Sequence, residues 1–189
     1  MKNILCFVYD SFVDYEISLV CTEINLDENC QVIYISYQNS YVKSSAGLKL
    51  KPDKIIAEIE SINDFNGLII TGGYNRELKT ELEQLMFKLN NEKKLIAAIC
   101  GGPEFLAKAG ILNGRNYTTS MPPNEYEEQG EKDPFPRETF IDSRMVRDDN
   151  IITAKGHAFV DFTLEIWEWL DLYENETERE ECKRLYTPN

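Results

Sequence analysis

Histidine is almost absent from this sequence: His157 is the only one among 189 residues. A zinc site built from several imidazoles is therefore excluded within one chain, and any imidazole chemistry there must run through that single ring. Basic residues are scarce too, with 20 Lys and Arg against 33 Asp and Glu, a formal charge of −13. Nucleic acids and anionic membranes are held by clustered cations, so this balance argues against both as partners. No apolar run approaches the roughly 18 residues of a membrane span. The first run, Ile4–Tyr9, stops at Asp10 and lacks the about 7–15 apolar residues and cleavage site of a secretory signal. Five cysteines, at 6, 21, 30, 100 and 182, are odd in number and show no CxxC spacing, which speaks against a disulfide framework and a zinc site. The expectation is a cytoplasmic chain with free thiols, no metal and no cofactor.

What is present indicates a folded α/β protein. Hydrophobic residues make up 42% and aromatics 11%, enough for a core and against disorder. Short apolar runs at Ile4–Tyr9, Gln31–Tyr37, Gly67–Thr71 and Leu95–Ile99 read as buried strands. Between them, Val13–Leu26 and Glu77–Asn90 carry apolar residues at helical spacing. Tyr41–Lys43 and Leu48–Leu50 flank Ser45-Ala46-Gly47 as a small hairpin, and Ile55–Ile62 is expected as a short helix. Pro103 opens a helix over Gly102–Lys108, followed by a short strand at Asn116–Thr119. Residues 121–138 read as a long polar loop or lid. Asp148-Asp149 marks a hairpin between Phe140–Val146 and Asn150–Ala154. An amphipathic helix spans Phe159–Tyr173, and residues 174–189 form an acidic C-terminal helix or tail after a single domain of residues 1–173. Strand–helix alternation with near-continuous apolar strands predicts a doubly wound, mostly parallel sheet with helices on both faces. Such sheets place their sites beyond the carboxyl ends of the strands.

Three of those strand ends converge on possible chemistry. The run Ala97-Ala98-Ile99-Cys100-Gly101-Gly102-Pro103 carries a buried strand through a sharp turn straight into a helix. That is the logic of a nucleophile elbow, with Cys100 thrust out of the turn and a helix N-terminus to favour its thiolate. Gly72-Gly73, with Gly101, would offer backbone N–H groups to an oxyanion. Glu16 stands where a carboxyl could hydrogen-bond the sulfur, and His157, after the last strand, could serve as acid/base. Each has a plainer reading: a buried structural thiol, a turn that needs positive φ, a first-turn acid facing the helix dipole, and a structural histidine.

The stretches Tyr9-Asp10-Ser11-Phe12-Val13-Asp14-Tyr15-Glu16, Leu68-Ile69-Ile70-Thr71-Gly72-Gly73 and Leu95–Pro103 resemble the ThiJ/PfpI family. Ile151-Ile152-Thr153-Ala154-Lys155-Gly156 leading into a helix is similar too, so the resemblance covers about residues 3–172. It implies a flavodoxin-like fold related to class I glutamine amidotransferases, and a homodimer. The family holds cysteine-dependent amidases or proteases, glyoxalases, deglycases, chaperones and oxidation-sensing proteins. By motif, Cys100 corresponds to the reactive cysteine, Glu16 to its protonated carboxyl partner, and Gly72, Gly73 and Gly101 to the oxyanion pocket. The histidines are what this chain lacks. Gly101 stands where protease-like members place one, Ser120 where glyoxalase-like members do, and His157 is followed by Ala158 and Phe159 rather than by the His-x-Glu pair of amidotransferases.

The leading expectation is an enzyme acting on a small carbonyl or amide substrate through a Cys100 thiolate, with His157 or water moving protons. The alternatives are a non-enzymatic redox or stress-response protein in which Cys100 is oxidised, and a binding or chaperone module. The 121–138 segment, with Tyr126, Phe135 and Arg137, is expected to shape specificity.

Overall fold

In the computed structural model, residues 1–186 are described; residues 187–189, the end of the expected tail, lie outside the described residues. The chain runs β1 (Lys2–Phe7), α1 (Tyr15–Leu26), β2 (Cys30–Ser36), β3 (Val42–Lys43), β4 (Lys49–Leu50), β5 (Lys54–Ile55), β6 (Gly67–Ile70), α2 (Thr80–Asn91) and β7 (Leu95–Ile99). It continues through α3 (Pro103–Lys108), α4 (Pro123–Gln129), β8 (Met145–Asp148), β9 (Ile151–Ala154), α5 (Phe159–Trp169) and α6 (Glu176–Tyr186). Seven strands form one sheet in the order β5-β2-β1-β6-β7-β9-β8, and β3 and β4 form a separate antiparallel hairpin. Only β8 runs against the others in the main sheet.

The strand sequences explain this placement. Ile4, Leu5, Cys6 and Phe7 of β1, Leu68, Ile69 and Ile70 of β6 and every residue of β7 are fully buried. A strand without a polar face is stable only between two layers, which is why the parallel centre is covered on both sides. Crossovers between parallel strands are right-handed. The chain steps from β1 to β2 in one direction and from β6 to β7 in the other, so α1 and α2 take opposite faces. Helix α5 then returns to pack on α1. The order reverses between β1 and β6, and the loops leaving their carboxyl ends part there to open a crevice.

Three local expectations change, and a fourth, left open between two forms, is decided. Ile55–Ile62 is not a helix. Its first residue, Ile55, pairs with β2 at the sheet edge, and the Ile55 N–H donates to the Glu58 side chain (3.2 Å), closing a single 3₁₀ turn. Asn116–Thr119 contributes only a bridge between Tyr117 and Phe140, because the Thr118 N–H donates to Thr153 Oγ1 (2.9 Å) rather than to a strand. Residues 121–138 contain α4, which Pro123 opens and Gly130, in the left-handed conformation (φ 69°), closes. The acidic C-terminal segment is helix α6, anchored on the body by Tyr186 against Trp167 (centroids 5.9 Å apart).

The elbow after β7 is packed as tightly as the sheet. A Cβ at Gly102 would stand 2.7 Å from the Ile70 carbonyl oxygen, 2.9 Å from that of Ile99 and 3.1 Å from that of Thr71. All three are backbone atoms that cannot turn aside. Gly102→Ala is expected to cost about 1–3 kcal/mol, read as a lower urea midpoint at unchanged slope. An unshifted midpoint would contradict this packing.

Candidate functional site

Cys100 has φ 63°, a left-handed conformation that costs a side-chain-bearing residue energy and occurs chiefly where the surroundings enforce it. Here the enforcement is visible on both sides of the residue. Its N–H donates to the Ala154 carbonyl (2.8 Å), while its own carbonyl accepts from the Ser120 N–H (3.0 Å) and the Thr119 hydroxyl (2.9 Å). The side chain is thereby held between two glycines. A Cβ at Gly72 would meet Cys100 Cβ at 2.7 Å and Sγ at 3.2 Å, and one at Gly156 would meet Sγ at 3.0 Å. Any larger residue at either place would displace the sulfur.

Glu16, in the first turn of α1, is 1% exposed. Its Oε2 accepts from the Gly72 N–H (2.9 Å), and its Oε1 is buried with no hydrogen-bond partner among the described residues. A Cβ at Gly156 would stand 2.9 Å from Oε1 as well as 3.0 Å from the sulfur, so carboxyl and thiol share one wall. Burial lifts the Glu16 carboxyl to about 7, against the opposing pull of Cys100 and the Gly72 N–H. Burial, the Glu16 charge and contact with that carboxyl push the Cys100 thiol up to about 12, against the Ser120 hydroxyl and the Gly101 N–H. The two groups feel each other, yet no well-aligned hydrogen bond joins them, which leaves Oε1 the free atom of the pair.

The structure revises several expectations about these residues. A resting thiolate favoured by a helix N-terminus is not what the geometry provides. Helix α3 is only six residues long, and the sulfur is surrounded by burial and a carboxyl, both of which favour the protonated thiol. Gly72 holds Glu16 with its N–H and so does not offer that group to an oxyanion. The N–H groups of Gly73 and Gly101 take no backbone acceptor, and that of Gly101 faces the sulfur. His157 is the exposed middle residue of a 3₁₀ turn, Gly156–Ala158, whose other two residues are buried. Among the described residues its ring makes no hydrogen bond to Cys100 or to any other group; only its carbonyl accepts, from Arg144 (3.5 Å).

Ser120 takes the place beside the sulfur instead. Its Oγ accepts from the Gly156 N–H (3.0 Å), which leaves the hydroxyl proton to turn toward Cys100. The sequence signal was there, as a small hydroxyl residue where a histidine was looked for. Arg76 and Glu104 gave no such signal, being 28 positions apart. Arg76 Nε donates to Glu104 Oε2 (2.7 Å), Nη1 to the Gly73 carbonyl (2.5 Å) and Nη2 to Glu125 Oε1 (3.2 Å). Burial would lift the Glu104 carboxyl, but Lys108 and Arg76 outweigh it and hold it below its ordinary value. The buried Tyr126 hydroxyl also donates to Glu104 (2.8 Å). One arginine thus ties the glycine loop after β6 to α3 and to α4, so the 121–138 segment is fastened over the elbow. Beside Ser120 a cavity of about 540 Å³ opens between the α4 segment and the end of β9, lined by Met121, Phe140, Arg137, Lys155 and His157 among others.

A strained elbow cysteine, a buried carboxyl beside it and free backbone donors at the switch point of a parallel sheet define a flavodoxin-like protein with a cysteine-centred site. The chain belongs to the DJ-1/PfpI family, whose pattern it matches over residues 2–169. It is 33% identical over 172 residues to the uncharacterized protease YdeA of Bacillus subtilis, covering 90% of this chain and 84% of that one. With the deglycase PfpI of Pyrococcus furiosus it shares 30% over 121 residues, 62% of this chain and 71% of the other. The crystal structure of a DJ-1 superfamily protein from Agrobacterium tumefaciens superposes with a TM-score of 0.83 over 98% of this chain and 97% of its own; at 24% identity this is a likeness of fold. Among the described residues no helix is long and apolar enough to cross a membrane, and no group of side chains could hold a metal ion.

The Glu16 carboxyl makes stability depend on pH. Its ordinary value is 4.5 and its value in the fold is about 7. Between the two, the folded protein keeps a proton that the unfolded chain has released, so stability falls as pH rises from about 4.5 to about 7. Glu16→Gln removes that loss while keeping an acceptor for Gly72. The unfolding free energy of Glu16→Gln relative to the wild type is expected to rise by about 3 kcal/mol across this window. Urea titrations of both proteins at pH 4.5, 6 and 8 check it, and parallel pH curves would count against a protonated buried carboxyl.

Proposed function

We propose that this protein is a cysteine-dependent enzyme acting on a small carbonyl compound or amide, with Cys100 as the nucleophile. The observation that carries the reading is the pairing of a conformationally strained, half-buried thiol with a buried carboxyl whose free oxygen shares its wall. Relatives named protease and deglycase support the same class of chemistry.

The arrangement suits a nucleophile made at the moment of attack. Near neutral pH the Glu16 carboxyl, lifted to about 7, is poised between its two protonation states, which is where a general base works best. As Cys100 Sγ forms its bond to the carbonyl carbon, the thiol proton passes to the Glu16 carboxylate. The π pair of the carbonyl moves onto oxygen, where the Gly73 and Gly101 N–H groups receive it. Glu16 then returns the proton, to the oxyanion of an aldehyde adduct or toward the leaving nitrogen of an amide. Ser120, fixed by Gly156, donates to the sulfur while it is negative. His157, at the exposed rim, does not orient the thiol.

Oxidation sensing would use the same donors around a sulfinate, and the unpartnered Glu16 Oε1 favours it in one respect, since a protonated carboxyl could donate to a sulfinate oxygen. Oxidation, however, tracks thiolate character, and the thiol here is pushed up to about 12. Turnover of a panel of small aldehydes and amides is the direct measurement. Cys100→Ala is expected to abolish it, Glu16→Gln to lower kcat by about 10²–10⁴-fold as loss of a general base does, and His157→Ala to cost less than about tenfold. Absence of any Cys100-dependent turnover, together with rapid peroxide oxidation mapped to Cys100 by mass, would replace the enzyme reading with the sensor.

A further inference from the structure

The cavity beside Ser120 is charged against the character of the chain. On a protein of formal charge −13, its polar lining includes Arg137, Lys155 and His157 and a single carboxylate, Asp142. Chain geometry ties this rim to the sulfur. Gly156 is the residue that packs on Cys100 Sγ, and Lys155 and His157 are its immediate neighbours. Ser120, which lines the cavity, hydrogen-bonds Gly156 and faces the thiol.

The cations are held in place without being used up. Arg137 donates from Nε and Nη2 to Asp133 (2.7 and 3.2 Å) and from Nη1 to the Met121 carbonyl (3.0 Å), so three of its five N–H groups are taken and two are left. Lys155 donates to Asp142 only, with two of three N–H groups left. Asp142 itself is largely in water, its side chain 79% exposed against 23% for Lys155, so the carboxylate is better screened than the ammonium it holds. The His157 ring is unclaimed among the described residues. A rim with surplus donors, whose one lining carboxylate is largely in water and which flanks the glycine packed on Cys100, is built for an anion.

We infer that this cavity is an anion subsite: the substrate is a small carbonyl compound carrying a carboxylate or phosphate a few bonds from its carbonyl, with the anion on Lys155, Arg137 and His157 and the carbonyl directed past Ser120 to Cys100. This rests on the reading of Cys100 as a nucleophile and names the class of molecule that the nucleophile meets.

Alkylation with an isosteric pair of reagents, anionic iodoacetate and neutral iodoacetamide, separates the two claims. Rates are resolved by peptide mass at Cys100 and at Cys182, a thiol on α6 among Glu178, Glu181 and Glu23 that serves as internal reference. The iodoacetate-to-iodoacetamide ratio is expected to be about tenfold higher at Cys100 than at Cys182, to shrink as salt is raised, and to fall several-fold in Lys155→Met. Because that variant could fail to fold, the wild-type ratio and its salt dependence stand as an independent readout. Equal ratios at the two thiols, with Cys100 still alkylated by iodoacetamide, overturn the anion subsite and leave the nucleophile. No alkylation of Cys100 by either reagent removes the nucleophile and the subsite with it. Acetate and inorganic phosphate, added as competitors of iodoacetate, identify which anion the rim takes, and protection by neither overturns the proposal.

Discussion

Two ionisable groups that both resist charge share one dry wall, and the rest of the site is arranged around them. Glu16 is buried and lifted to about 7; Cys100 is half-buried and pushed up to about 12. Either could ionise easily in water, but in this space a charge on one raises the cost of a charge on the other. The consequence is a pair in which the carboxyl gives up its proton well before the thiol does. Gly72 and Gly156 make the closeness possible, because nothing larger than hydrogen fits on either side of the sulfur.

The sheet supplies the rigidity that such a pair requires. Glu16 follows β1, Gly72 follows β6 and Cys100 follows β7, three neighbouring parallel strands whose residues are locked in register. A fourth element, the end of β9, adds Gly156 and accepts the Cys100 N–H at Ala154. Each functional group thus leaves a different buried strand at the same edge of the sheet, and the strain at Cys100 is sustained by hydrogen bonds from segments far away in sequence. On the outer side, the Arg76–Glu104–Tyr126 network fixes the α4 segment over the elbow. Half-buried ion pairs of this kind add specificity of position more surely than they add stability.

Charge is distributed with equal purpose. Over the whole chain carboxylates outnumber cations by 13, whereas Arg137, Lys155 and His157 line one cavity with a single carboxylate, Asp142. The lone histidine lines that cavity and makes no hydrogen bond to the thiol, and the place beside the sulfur belongs to Ser120.

The sequence by itself determined the sheet, the elbow and the carboxyl. Apolar runs too continuous for a one-sided strand demanded a covered parallel sheet, and the Ile99-Cys100-Gly101-Gly102-Pro103 string demanded a sharp strand-to-helix turn. Glu16 was legible through the Tyr9–Glu16 stretch that resembles the family and through its place in the first turn after a central strand. Periodicity failed where the signal was short or borrowed: Ile55–Ile62 lost its helix to edge pairing with β2, and Asn116–Thr119 lost its strand to a threonine side chain. Only the tertiary structure decided which amide holds the carboxyl, which hydroxyl meets the sulfur, and that Arg76 joins three segments. Those choices depend on distances between residues dozens of positions apart, and hydrophobic patterning, which records burial and not direction, carries no information about them.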